Sequence, residues 1–272
     1  MYPELFRIGP FSVQSYGVML ALSFVLGILI AVRMGRQRGI NSDKIINLGY
    51  IIIISSIIGA RLFYVLFHLP EFRGRWLYTF WPVQENGLVG LGGLILLGGF
   101  ITAFISSTLY IRFTNMKFLK VADCIAPAIA LGVFLTRIGC FLNGCCFGRS
   151  CDLAWGIHFP PDSPAGAVMG DASLHPTQLY SSLYGIIIFV TLLFLNRKRR
   201  PDGFLIGLFL VLYGISRFTV DFFRHYEGQM YIAGGLEFNQ LVSLFMVAGG
   251  FFILFLPKQS SERRRMQKPT DH

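Results

Sequence analysis

The chain has 272 residues, 54% of them hydrophobic and only 14% charged, with a mean hydropathy of +0.59. A soluble domain carries about 25% charged residues, so this balance excludes an ordinary soluble enzyme and implies a polytopic membrane protein of one domain. The formal charge is +10, but the basic residues gather in connections between apolar stretches, which excludes a nucleic-acid partner as their explanation.

Met1 to Gln14 lacks a basic n-region and a small-residue cleavage site, so no removable signal peptide is expected. Seven apolar stretches follow, each near the ~20 residues a bilayer requires. They lie at about 14–32, 45–67, 88–110, 121–142, 177–195, 203–222 and 234–256. The expected fold is an all-α bundle of seven transmembrane helices. Residues 1–257 form one membrane domain with a small cap at about 143–176, and 258–272 form a basic tail.

Orientation follows from charge. Arg33, Arg36, Arg38 and Lys44 follow span one; Arg112, Lys117 and Lys120 follow span three; Arg197, Lys198, Arg199 and Arg200 follow span five. Lys258, Arg263, Arg264, Arg265 and Lys268 lie in the tail, which can touch anionic lipid. The positive-inside rule then places the C-terminus in the cytoplasm and the N-terminus on the periplasmic side. Of the outer connections, 68–87 carries Trp76, Tyr78, Phe80 and Trp81, which suit an interface. The connection 143–176 carries Pro160, Pro161 and Pro164, which suit an irregular cap. Gly87 borders span three, and Gly90, Gly92, Gly93, Gly98 and Gly99 lie within it. These glycines serve close helix packing or open the backbone to a lipid. No internal repeat is visible, which weakens a transporter reading.

Chemistry concentrates between Arg137 and Gly156. An arginine within a span costs roughly 2.5–3.5 kcal/mol on insertion scales, so Arg137 calls for an anion. Asn143 follows with both donor and acceptor groups, among Gly139, Gly144 and Gly148. Arg217 lies at similar depth in span six, and two guanidiniums can clamp a phosphate. Asp221, four residues later, shares its helical face and can pair with it. Arg61 either snorkels, pairs with Asp123 or meets substrate. His175 stands at the outer start of span five with Gln178 and Tyr180. It either shuttles a proton or holds the helix start. The cysteines read C-x4-C-C-x4-C from Cys140 to Cys151, which is no standard zinc spacing. No metal and no other cofactor is expected. In an oxidising compartment Cys145, Cys146 and Cys151 are candidates for a disulfide, while Cys140 and Cys124 read as small packing residues.

These residues together resemble the bacterial prolipoprotein diacylglyceryl transferases. The resemblance rests on Ser15-Tyr16-Gly17, Gly59-Ala60-Arg61, Gly92-Gly93-Leu94, the Arg137 stretch, His175 to Tyr180, and Tyr213 to Arg217 with Asp221 to Arg224. It implies transfer of the diacylglyceryl group of phosphatidylglycerol to the lipobox cysteine of a preprolipoprotein signal peptide, in the bacterial inner membrane and among membrane lipids. The alternatives are a paralogue with another lipid donor or acceptor, and a non-catalytic phospholipid binder or translocator. The resemblance assigns phosphatidylglycerol binding to Arg137 and Arg217, an essential role to Tyr16, a further tyrosine to Tyr213, and the closing glycine of the signature to Gly148. Arg61, Gly92, Gly93, Asn143, Gln178 and Tyr180 complete the expected substrate site, with His175 and Asp221 beside the reacting groups. The chain departs from the family pattern at five positions. Cys140 and Cys145 replace the signature's first asparagine and its glutamate. Leu91 stands where a histidine proposed as base is often found. Asp221 replaces a glutamate, and Ser181 replaces an acid. With Leu91 unable to take a proton, His175 is the remaining candidate base.

Overall fold

The computed structural model describes residues 1–9, 11–72, 93–198, 200–226, 231–232 and 236–256. The aromatic segment around Trp76, the positions Leu91 and Gly92, and the basic tail lie outside the described residues.

An antiparallel hairpin, β1 (Glu4–Ile8) and β2 (Phe11–Gln14), leads directly into α1 (Ser15–Gln37). Then come α2 (Ser42–Phe67), the single turn α3 (Leu69–Phe72), α4 (Leu96–Phe113) and α5 (Phe118–Asn143). A short cap helix α6 (Pro164–Met169) precedes α7 (Thr177–Asn196) and α8 (Phe204–Asp221). A two-residue ribbon, β3 (Tyr231–Ile232) with β4 (Leu236–Glu237), introduces α9 (Phe238–Phe255). Among the described residues seven helices are long and apolar enough to cross a membrane: α1, α2, α4, α5, α7, α8 and α9. The expected bundle is therefore present. The hairpin at the N-terminus was not anticipated, because five residues of strand carry too little periodicity to stand out.

The third span begins later than hydropathy suggests, at Leu96 rather than near residue 88. Gly93 has φ +66°, and a Cβ there would strike the Tyr64 ring. Its carbonyl accepts from Arg61 Nη1 at 3.3 Å. Hydropathy cannot separate an apolar loop packed on protein from the helix that follows it.

Helix α5 is the centre of the bundle and packs against α1, α7 and α8. Its buried residues are small (Cys124, Ala126, Pro127, Ala130, Gly139), so neighbours approach its backbone. At Gly139 a Cβ would stand 3.2 Å from Tyr16 Cα, and at Gly185 of α7 2.8 Å from the Phe134 amide nitrogen. Two helix pairs flank this centre. In α2/α4, Gly98 and Gly99 pack against Gly59 and Ser56, with Thr102 Oγ1 donating to Ser55 O at 2.8 Å. These two glycines serve helix packing. In α8/α9, Gly207 and Gly214 face Gly250 and Ser243.

Adjacent glycines in α9 give a controlled test of this packing. A Cβ on Gly250 would sit 2.7 Å from Gly207 O and 2.9 Å from the Val211 nitrogen, whereas one on Gly249 meets nothing within 4 Å. Gly250→Ala is expected to cost about 1–3 kcal/mol through overpacking, seen as a lower melting temperature in detergent. Gly249→Ala is expected to be neutral. Equal effects at the two positions would contradict the α8/α9 arrangement.

At one end of the bundle the end of α1, the start of α5, the end of α7 and the start of α8 meet on Asp123. Its carboxylate is fully buried. Oδ2 accepts from Arg38 Nη1 at 2.9 Å and from the Gly203 amide at 3.0 Å, and Oδ1 accepts from the Ile206 amide at 2.9 Å. Arg38 also reaches Asn196 Oδ1 at 3.3 Å. Pairing of Arg61 with Asp123 is thereby excluded, since Asp123 is held by Arg38 and by the amides that open α8. Arg61 instead lies buried near the opposite end, with its guanidinium over Tyr64 and Phe72.

Candidate active site

The opposite end of the bundle gathers the start of α1, the end of α5, the start of α7 and the end of α8. Arg137 stands six residues before the end of α5 and is half-buried. Among the described residues it has no acid within salt-bridge distance and no hydrogen-bond partner. Its electrostatic neighbours are Cys140, Cys146, Tyr184 and Tyr213. Arg217 is held differently. It pairs with Asp221 on its own helical face, and its Nη2 donates to the Tyr226 hydroxyl at 2.8 Å. Tyr226 in turn donates to Asp221 Oδ1 at 2.6 Å. Burial holds the Tyr226 phenol above its ordinary range, so it keeps the proton it donates. Asp221 is fully buried, and its Oδ2 has no hydrogen bond.

Tyr213 and Tyr184 connect the two arginines. Each lies within electrostatic reach of Arg137, and each also of Arg217. Their rings meet edge to face at 5.8 Å, and Tyr213 stacks on Phe209 at 5.5 Å. The guanidiniums therefore serve one region, one oriented by a carboxylate and a phenol, the other without a compensating acid among the described residues.

Tyr16 opens α1 against the Gly139 face of α5, within electrostatic reach of Arg137, Cys140, Cys145 and Cys146. The backbone then turns sharply. Gly144 caps α5 with φ +72°, and Cys146 takes φ +60°, which few residues other than glycine adopt. The start of α7 fixes this turn. Gln178 Nε2 donates to Cys145 O at 2.9 Å and Thr177 Oγ1 donates to Cys146 O at 3.0 Å. Gln178 is fully buried, and its Oε1 has no partner.

As a result the sulfurs of Cys140, Cys145 and Cys146 lie within 4.8 Å of one another. Cys140 is thus part of a thiol cluster and more than a packing residue. All five cysteines are free. The expected disulfide among Cys145, Cys146 and Cys151 is absent from this structure, and Cys151 packs apart, beside Gly156. Hydrogen bonds from the Cys140 and Cys145 thiols hold Cys146 below the usual thiol range, and Arg224 and Arg137 add to the effect.

The cap is pinned where Gly148 passes between α7 and α8. Its amide donates to His175 O at 3.1 Å, and a Cβ would stand 2.5 Å from His175 Cβ and 2.7 Å from Phe223 O. The His175 amide bonds Arg149 O at 3.0 Å, and its ring Nδ1 meets the Tyr180 hydroxyl at 3.3 Å. Trp155 Nε1 donates to the same hydroxyl at 2.8 Å. The His175 ring also lies 5.0 Å from that of Phe223. Among the described residues no hydrogen bond, ion pair or ring contact joins His175 to Arg137, Arg217 or Tyr16.

A family model described as prolipoprotein diacylglyceryl transferase matches residues 3–256. The chain belongs to this family. A relative from Proteus mirabilis is 35% identical over 99% of this chain and 96% of its own length. One from Clostridium tetani is 32% identical over 93% of this chain and 96% of its own, and one from Photorhabdus laumondii 35% identical over 93% and 91%. All three are named phosphatidylglycerol–prolipoprotein diacylglyceryl transferase.

Of the positions that the transferase resemblance marks, the bundle brings Tyr16, Arg137, Asn143, Tyr213, Arg217 and Asp221 to one end. Asn143 closes α5 within electrostatic reach of the Cys145 thiol, which itself donates to Cys140 O at 3.7 Å. Gly148, His175 and Tyr180 form the joint of the cap, and Gln178 supports the cysteine turn. Gly93 stacks on Tyr64 beside Arg61, and Gly92 lies outside the described residues. Sequence reasoning missed Tyr226, Tyr184 and Thr177. Thr177 follows Pro176 at a helix start, which was a usable signal. Tyr226 lies beyond the end of α8, and no spacing rule predicts that the chain folds back onto Arg217.

Proposed function

We propose that this protein transfers the diacylglyceryl group of phosphatidylglycerol to the lipobox cysteine thiol of preprolipoproteins, as the names of its relatives state for them. The observation that carries the reading is Arg137, a half-buried guanidinium inside a membrane span, without an acid partner among the described residues, in the same region as the Asp221-oriented Arg217. A lipid phosphate satisfies both. In the reaction the acceptor thiolate attacks the glycerol carbon, the C–O bond breaks, and its electron pair leaves on glycerol phosphate. Growing charge on that phosphate needs fixed donors in a water-poor site, and the two guanidiniums supply them. Tyr16 and Tyr213 border the same region and are assigned to lipid positioning.

The charge pattern supports a bacterial inner-membrane location with this end of the bundle facing outward, where lipid and signal peptide meet. Residues 144–176 cover it as a cap. Purified full-length protein, given phosphatidylglycerol and a lipobox peptide, is expected to release glycerol phosphate and form a thioether of the calculated mass. Binding of both without release would assign the chain to lipid binding instead.

His175 is assigned to holding the cap. His175→Gln is expected to lower the melting temperature and slow transfer modestly without changing the shape of the pH–rate profile. Loss of one limb of that profile with unchanged stability would make it the base.

A further inference from the structure

The thiol cluster is built more firmly than packing requires. Cys140 comes from the last turn of α5, and the Gly144 cap with the left-handed Cys146 backbone turns the next two side chains back toward it. Three bonds hold the turn: the Cys145 amide to Cys140 O at 3.1 Å, and those from Gln178 and Thr177 to the Cys145 and Cys146 carbonyls. A tetrahedral ion with metal–sulfur bonds of about 2.3 Å keeps its sulfurs roughly 3.8 Å apart. The three sulfurs here are all within 4.8 Å, so side-chain rotation alone brings them into a ligating triangle. Among the described residues no fourth cysteine, histidine or carboxylate joins the group. Three protein ligands with one open position is the pattern of a catalytic rather than a structural zinc site. Arg137 and Arg224 lie within electrostatic reach of Cys146 and offset the anionic excess of three thiolates. Asn143, one residue before the capping Gly144 and within electrostatic reach of Cys145, is placed to supply an outer-sphere contact. The spacing is unlike usual zinc motifs because a helix end and a tight turn, not two knuckles, make the approach.

We propose that Cys140, Cys145 and Cys146 bind a thiophilic divalent cation of the zinc class as three thiolates, leaving its fourth position for the thiol that accepts the lipid. The second clause rests on the transferase reading. On loading, each S–H bond is replaced by a sulfur–metal bond and its proton passes to solvent; no electron changes hands. The acceptor thiol then displaces water from the fourth position and gives its proton to the departing water. Its sulfur attacks carbon, the C–O electrons leave with glycerol phosphate, and the neutral thioether, a weaker ligand, departs. Such an ion supplies a thiolate where Leu91 offers no base.

The test uses full-length protein in detergent, purified under reduction, stripped with chelator and titrated with Zn2+ or Co2+. One ion per chain is expected, with thiolate-to-cobalt charge-transfer bands and the strong visible bands of tetrahedral Co2+. Cys140→Ser and Cys146→Ser are expected to weaken binding at least tenfold, while Cys151→Ser, outside the cluster, binds as wild type. Melting curves of the metal-free variants identify any that fail to fold, and Cys145→Ala then replaces them. A lipobox peptide is expected to shift the cobalt bands, and its Cys→Ser counterpart is not. Absence of binding, equal binding by the serine variants, or a disulfide among the three overturns the site. Bands indifferent to the peptide thiol, or full transfer by stripped protein, overturn its part in the reaction. If the metal binds as expected but no glycerol phosphate is ever released, the transferase reading fails and the metal site stands.

Discussion

Arg137→Ala is expected to abolish diacylglyceryl transfer, by about a thousandfold if it behaves like loss of a preorganised donor to a developing anion, and to leave the melting temperature near wild type. The second half of that expectation comes from its surroundings. No carboxylate depends on Arg137 among the described residues, so its removal strands no buried acid, and Arg224 stays within electrostatic reach of Cys146. Arg217→Ala is expected to match it in activity and differ in stability. It strips the fully buried Asp221 of its cation, with one carboxylate oxygen already lacking a hydrogen bond. Breaking a buried pair from one side costs about 3–5 kcal/mol. Arg217→Gln combined with Asp221→Asn should restore stability without restoring transfer. Lysine at either position recovers little, because a point charge cannot reproduce the fork geometry. Glycerol phosphate release and thermal unfolding, measured on the same preparations, check both halves. Wild-type turnover in Arg137→Ala would remove this residue from the site.

Asp123→Ala is expected to be the most damaging single change to the fold. It leaves Arg38, which is largely buried, with only the partly exposed Asp202 carboxylate at 3.7 Å, and leaves the Gly203 and Ile206 amides at the start of α8 without this acceptor. The same range of about 3–5 kcal/mol applies. Asp123→Asn keeps one acceptor and should cost less. Because Asp123 lies at the far end of α5 from Arg137, whatever protein remains folded should keep the apparent affinity for phosphatidylglycerol. A selective loss of lipid affinity in Asp123→Asn, with melting unchanged, would contradict the purely structural role.

The seven spans were legible because an apolar run of membrane length leaves few alternatives. Span three was misplaced at its start, since Gly93 and its apolar neighbours satisfy hydropathy while making a loop against Tyr64. Arg137 and Arg217 were legible as site residues because charge inside a span is rare enough to stand out, and the i, i+4 offset revealed the Asp221 pairing. Pairing of Arg61 with Asp123 was one of three readings open for Arg61, since two intramembrane charges invite pairing on paper, and only the bundle shows that they stand at opposite ends. The three-thiol cluster was hidden for another reason. Motif spacing assumes a standard turn, whereas Cys146 here adopts a backbone conformation that its own identity does not advertise.

The capping of α8 by Asp123 also bears on how the chain enters the membrane. During synthesis α5 emerges well before α8, and with it the carboxylate that the first amides of α8 require. When α8 follows, its exposed donors find their acceptor already waiting on an earlier helix, together with Arg38 from α1. The late segments are thus threaded onto a template made by the early ones. A chain that ended before α8 would leave Asp123 with Arg38 alone.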